Sequence, residues 1–156
     1  MMVDIGEKAP EFSLPDMDLK QRSLREYLGK KKVVLAFFPL AFSPVCTSEM
    51  CSLRDSEYQL NSLDAQVIGI SVDSPFTLKA FAEHHGFKFP SLSDFNRDVS
   101  KRYGVLHEEM LGFRGVSKRS IFIIDKDGVV RYKWVSEDPS KQPDYKAINE
   151  VLSKIP

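Results

Sequence analysis

The chain has 156 residues, 42% of them hydrophobic and 28% charged, with 22 Lys plus Arg against 22 Asp plus Glu. Such a chain can bury a core, is not disordered, and predicts a single domain over residues 1–156. Zero formal charge argues against a nucleic-acid surface or an anionic-membrane binder, and no apolar run approaches the roughly 18 residues of a membrane span. Asp4, Glu7 and Lys8 stand where a signal peptide would be apolar, which predicts a cytoplasmic protein.

Residues Gly6 to Pro15 alternate weakly between prolines and read as an edge strand. Ser23 is positioned to cap a short helix from Leu24 to Leu28, closed by Gly29. Val33 to Phe38 is a continuous apolar run of strand length, as in a strand buried on both faces. A long helix is predicted from Pro44 to Ser62, then a strand over Gln66–Val72. Ser74 and Pro75 open a further helix that Gly86 closes. A short helix over Asn96–Tyr103 ends at Gly104, and Val105 to Ser117 reads as loop. Arg119–Ile124 and Val129–Trp134 flank Asp125-Lys126-Asp127-Gly128 as a hairpin, with Gly128 supplying a positive φ. A last helix covers about Asp144–Lys154. The β-α-β unit demands a parallel pair, and the hairpin adds antiparallel strands. The expected fold is α/β and thioredoxin-like: a mixed central sheet with helices on both faces, an order that other three-layer folds also satisfy.

Chemistry concentrates where the Val33–Phe38 strand gives way to the long helix, the usual place for sites in open α/β sheets. Pro44 keeps Ser43 extended, as a helix cap must be, and itself suits the first helical position. Cys46 is then the third helical residue. Its sulfur lies at the positive end of the helix, among N–H groups without intrahelical acceptors, where the reactive thiolate is favoured. As a lone cysteine on a stripe with Met50, Leu53 and Leu60, it would more often be inert core; the position at the helix start reverses that preference. Cys51 lies five residues on. In an ideal helix the two Cα atoms sit about 8.6 Å apart, whereas a disulfide needs under about 7 Å. Either Cys51 is an unrelated thiol, or Cys46 oxidises, the first turns unwind and Cys51 reaches it; spacing leaves both open. Two cysteines cannot build a disulfide scaffold.

Other signatures are missing. There is no CxxC, no phosphate-binding glycine loop, and no zinc pattern: His84 and His85 are neighbours expected to point different ways, and His107 is remote. Arg119, at a strand end, and Glu49, on the Cys46 helix, would ordinarily be solvated.

Three separated segments nevertheless agree in order. Pro39-xxx-Ser43-xx-Cys46 resembles the PxxxTxxC signature of peroxiredoxins, with Ser for Thr. Gly6-xx-Ala9-Pro10-x-Phe12-x-Leu14-x-Asp16 resembles their N-terminal pattern, and Lys118 to Asp125 resembles the strand that carries their active-site Arg. The Cys46–Cys51 spacing resembles the bacterioferritin-comigratory-protein (PrxQ-like) branch. The resemblance implies a thiol peroxidase acting on hydrogen peroxide and organic hydroperoxides through a Cys46 sulfenic acid, with no metal or haem cofactor. It implies that Ser43 and Arg119 hold the thiolate and the peroxide oxygens, that Pro39 shields the pocket, and that Glu49 orients Arg119. It also implies resolution by a Cys46–Cys51 disulfide and recycling by a thioredoxin- or glutaredoxin-type reductant. Resolution by an external thiol is the alternative, since some close relatives use it. A thiol–disulfide oxidoreductase or redox sensor on the same fold is another reading. Phe42, Met110, Leu111 and Phe113 are candidates to line an alkyl-accepting pocket. With no cysteine near the C-terminus, a monomer or homodimer is expected, not a disulfide-linked decamer.

Overall fold

A computed structural model describes residues 2–156. The N-terminal segment departs from the expected edge strand. Only β1 (Ser13–Pro15) is extended, and it pairs antiparallel with β2 (Gln21–Ser23), outside the main sheet. Pro10 and Pro15 offer no N–H to a ladder. The first half of the segment is tied to the Val129 end of the hairpin by the Lys8–Val129 bridge and by backbone bonds from Gly6 N to Val130 O, Val130 N to Glu7 O and Ala9 N to Gly128 O. Instead of a helix over Leu24–Leu28 there is one 3-10 turn, Leu24–Glu26, whose Glu26 carboxylate accepts from the Ser23 N–H at 3.0 Å.

The main sheet contains β3 (Lys32–Phe37), β4 (Ala65–Ser71), β5 (Ser91–Ser93), β6 (Ser120–Ile124) and β7 (Val130–Val135), in the order β5-β4-β3-β6-β7. β3 runs parallel to β4, and β4 parallel to β5, while β6 and β7 run antiparallel. This is the thioredoxin-like mixed sheet that the element order suggested. Every residue of β3 is buried, because its two faces serve two cores. Val34 and Ala36, with Phe38 just beyond the strand, pack with Cys46, Met50, Leu78, Phe81 and Ile148. Val33, Leu35 and Phe37 pack with Phe12, Leu24, Val99 and Tyr103 on the other side. Burying side chains of this size contributes about 1.5–3 kcal/mol each, so the central strand anchors whatever follows it.

The predicted long helix is two. α1 (Pro44–Asp55) stops at Ser56 and α2 (Glu57–Ser62) resumes beyond it; Ser56 stays right-handed helical at φ −91° and ψ −4°, at the edge of that region, and its N–H still reaches Ser52 O while its carbonyl accepts from Leu60 N. α3 (Pro75–His85) is as expected: the Ser74 hydroxyl accepts from Thr77 N, and Gly86 ends it at φ 70°. α4 (Asp98–Tyr103) starts two residues later than read, because Arg97 is left-handed at φ 69° and Asp94 accepts from the N–H groups of Val99 and Ser100. In the β6–β7 hairpin, Gly128 takes φ 83° and donates to the Asp125 carbonyl. α5 (Tyr145–Lys154) is capped by Asp144, which accepts from Ala147 N. No described helix is long and apolar enough to cross a membrane.

Candidate active site

The loop from β3 to α1 is pinned at both ends. Phe38 N donates to Ile70 O at 3.0 Å, which extends the parallel ladder by one rung. Ala41 N donates to the Asp73 carboxylate at 2.8 Å, and Ser71 Oγ donates to the same oxygen at 2.7 Å. Phe42 is then forced to φ 69°, a region L-residues rarely enter. Its half-exposed ring settles on Phe81, with centroids 5.0 Å apart. Ser43 has the extended cap conformation and Pro44 the first helical position, so Cys46 is the third residue of α1, as predicted. The Ser43 hydroxyl makes no cap bond. It donates to the Leu40 carbonyl at 2.8 Å.

The Cys46 sulfur is fully buried, yet its surroundings are not simply apolar. Arg119 Nη2 donates to Cys46 Sγ at 3.2 Å, and Arg119 Nη1 donates to Glu49 Oε1 at 2.7 Å. Both Arg119, immediately before β6, and Glu49, on α1, are essentially inaccessible to water. The solvated alternative for each is thereby overturned. Sheet pairing explains the meeting: β6 lies beside β3 with Ser120 opposite Phe37, so Arg119 emerges at the strand end where α1 begins. Pro39, Ser43, Val45, Met110, Leu111 and Arg119 line a cavity of about 180 Å³ beside this cluster. Clefts of about 500, 440 and 410 Å³ elsewhere hold none of these groups.

Residues 5–133 match the family model described as "AhpC/TSA family". The chain belongs to that family. It is a peroxiredoxin, a thiol peroxidase of the hydroperoxide-reductase kind. It is 36% identical over 156 residues to alkyl hydroperoxide reductase E of Mycobacterium tuberculosis, covering 99% of each chain. It is 38% identical over 127 residues to a putative peroxiredoxin of that organism, covering 80% of each. The crystal structure of peroxidoxin BcpB from M. tuberculosis superposes with a TM-score of 0.88 at 32% identity, over 100% of this chain and 99% of that one. That likeness agrees with the bacterioferritin-comigratory-protein branch read from the sequence.

In this peroxiredoxin, burial pushes the Glu49 carboxyl up to about 7, against the pull of the Arg119 guanidinium. Glu49 Oε2 is buried without a hydrogen-bond partner among the described residues, which is why the opposing pull is incomplete. Arg119 is held above its ordinary value: burial works against its charge, but Glu49 and Cys46 together outweigh burial. Cys51 is half-buried on α1, and both cysteines are free thiols.

Among the four apolar candidates for the pocket, Met110 and Leu111 line it. Phe42 packs instead toward α3, and Phe113 serves as Met110's partner in a two-bond turn. The expectation that His84 and His85 point apart fails: their rings meet edge to face, 4.7 Å apart, and both approach Phe42. Sequence reasoning missed Asp73, which pins the loop, and Pro139, whose carbonyl accepts from Arg119 Nη2 at 2.9 Å and Nε at 3.3 Å. The one available signal was Asp138-Pro139, a turn-prone dipeptide that forces the residue before it out of the helical region. Among the described residues no group of three His, Cys, Asp or Glu side chains could hold a metal ion.

Proposed function

We propose that Cys46 is the peroxidatic sulfur. Its thiolate attacks the terminal oxygen of a hydroperoxide, the O–O bond breaks, and the leaving oxygen departs as water or an alcohol once protonated, leaving Cys46 as a sulfenic acid. Negative charge moves from sulfur to the leaving oxygen during the step. Donors fixed in place before the reaction lower its barrier most. Arg119 supplies one, as do the Val45 and Cys46 N–H groups, which their place in the first turn leaves without intrahelical acceptors. Ser43 supplies another when its hydroxyl turns from Leu40 toward the cavity. Pro39 excludes water, and Glu49 orients Arg119. The contact of 3.2 Å between the Arg119 guanidinium and a buried Cys46 sulfur carries this reading.

Cys51 then attacks the sulfenic sulfur, a disulfide forms and water leaves. An external dithiol of the thioredoxin or glutaredoxin type reduces the disulfide by exchange. The substrates are hydrogen peroxide and organic hydroperoxides, the molecule acts as a monomer or homodimer, and it works in the cytoplasm. One observation favours a second route for resolution: both cysteines lie on the same unbroken α1, so an intramolecular disulfide needs that helix to unwind, whereas an external thiol needs only an opening over the buried Cys46 sulfur.

Cys46→Ser should abolish peroxide consumption. Cys51→Ser should leave the first turnover intact and stop reductant-coupled recycling. Retained turnover in the Cys46 variant refutes the assignment, and unchanged recycling in the Cys51 variant establishes the external-thiol route.

A further inference from the structure

The segment after β7 closes on Arg119 from two directions. Ser136 N donates to the Arg119 backbone carbonyl at 3.0 Å, and the Pro139 carbonyl accepts from the Arg119 side chain. Between these anchors the chain is knitted locally. Ser136 Oγ donates to Asp138 O at 2.8 Å and accepts from Asp138 N at 3.1 Å. Asp138 Oδ1 accepts from Ser140 N at 2.9 Å and from Ser140 Oγ at 2.6 Å. The last pair forms a turn in which an aspartate side chain bonds the backbone two residues on, with Pro139 enclosed between them.

This geometry matters because of what else Arg119 touches. Its two other acceptors both change during the proposed reaction or with pH. The Cys46 sulfur loses its negative charge on oxidation, and the Glu49 carboxyl gains a proton near pH 7. The Pro139 carbonyl does neither, and so is the constant member of the three. A long side chain held only by variable partners would sample other rotamers, and misplacement of a donor by a fraction of an ångström weakens its help in the transition state.

We propose that Asp138 is a positioning residue for the peroxide step: its turn aims the Pro139 carbonyl at Arg119 and so keeps the guanidinium against the Cys46 sulfur. Asp138 and Ser140 are exposed, so their substitution removes the turn without opening the core. The proposal rests on the reading of Cys46 as the peroxidatic sulfur.

The test is the single-turnover rate constant of the full-length protein with hydrogen peroxide. Asp138→Ala should lower it about tenfold, as expected from a loosened charge-assisted hydrogen bond. Asp138→Asn keeps an acceptor oxygen for Ser140 and should restore most of the rate. In an Arg119→Met background, Asp138→Ala should cost nothing more, because a residue acting through Arg119 has nothing left to act on. An Asp138→Ala protein within about twofold of the native rate overturns the proposal, as does an equal loss with and without Arg119. Failure of the underlying reading looks different: there the Cys46→Ser protein itself still consumes peroxide.

Discussion

Cys46 and Glu49 share one buried cation. Two potential anions against a single guanidinium is an unstable electrostatic arrangement, and Glu49 is the member burial drives toward neutrality. The sign of the pH effect follows. In the unfolded chain Glu49 ionises near 4.5, and in the folded protein near 7. Its contribution to stability is fully present below the first value and is lost as pH rises through the second. Removing Arg119 widens the gap, since nothing then offsets the buried carboxylate. Arg119→Met should therefore destabilise the protein by about 3–5 kcal/mol near pH 8 and much less near pH 5, where the carboxyl carries its proton in both states. Urea unfolding at the two pH values measures this, and an equal loss at both would show that Glu49 is not the group left uncompensated. Tyr145 also faces Glu49, but burial pushes it up to about 12, so it stays neutral across this range. At this scale the sequence was legible only where the cause is local. Ser43-Pro44 places Cys46 at the helix start through neighbouring backbone alone. The burial of Glu49 was not legible, because its cause, Arg119, lies 70 residues away along the chain and arrives through sheet pairing.

The element that must do most is α1. It buries Cys46, Glu49, Met50 and Leu53 on one face, yet its cap serine makes no side-chain bond to its first turn and it has no acidic residue there. Tertiary packing, not capping, holds its first turns in place. Cys46 and Cys51 stand about 8.6 Å apart on a regular helix, beyond disulfide reach. Disulfide formation should therefore unwind the first turns of α1, and amide-exchange protection over Thr47 to Cys51, whose N–H groups make the first helical bonds, should fall sharply on oxidation and return on reduction. In Cys51→Ser protein the same oxidation should leave that protection largely in place. An oxidised native protein with an undisturbed first turn would exclude the intramolecular disulfide. The break at Ser56 and the shrinkage of the expected edge strand to Ser13–Pro15 mark the reach of local reasoning here. Apolar periodicity continues across Ser56, while the ψ of that one residue, −4°, moves to the edge of the helical region.

Across the molecule, the sheet and the helix layer above it meet over Gly69 of β4. A Cβ there would lie 3.3 Å from the Phe38 ring and 3.8 Å from the Met50 sulfur. The missing side chain leaves room for the Phe38 ring, at the start of the loop that leads to Cys46, and for Ser91 Oγ, also 3.3 Å away, while Met50 of α1 stands at ordinary contact distance. Gly69→Val should cost about 1–3 kcal/mol by overpacking and slow the peroxide reaction along with it, since the Phe38 ring, at the start of the loop that carries Cys46, must shift. A variant that loses stability but keeps the native rate would show that the site tolerates a shift of the whole layer. The β-α-β unit and the hairpin, and hence the mixed sheet, were readable from apolar runs and turn residues. The strand order, with β6 beside β3, was not, because pairing partners are chosen by long-range packing.

The most direct measurement is mass spectrometry of Cys51→Ser protein after one equivalent of hydrogen peroxide. The account predicts the mass of a single added oxygen atom, located on the peptide that contains Cys46. An unmodified Cys46 peptide, with the oxygen on a methionine or nowhere on the chain, would contradict it.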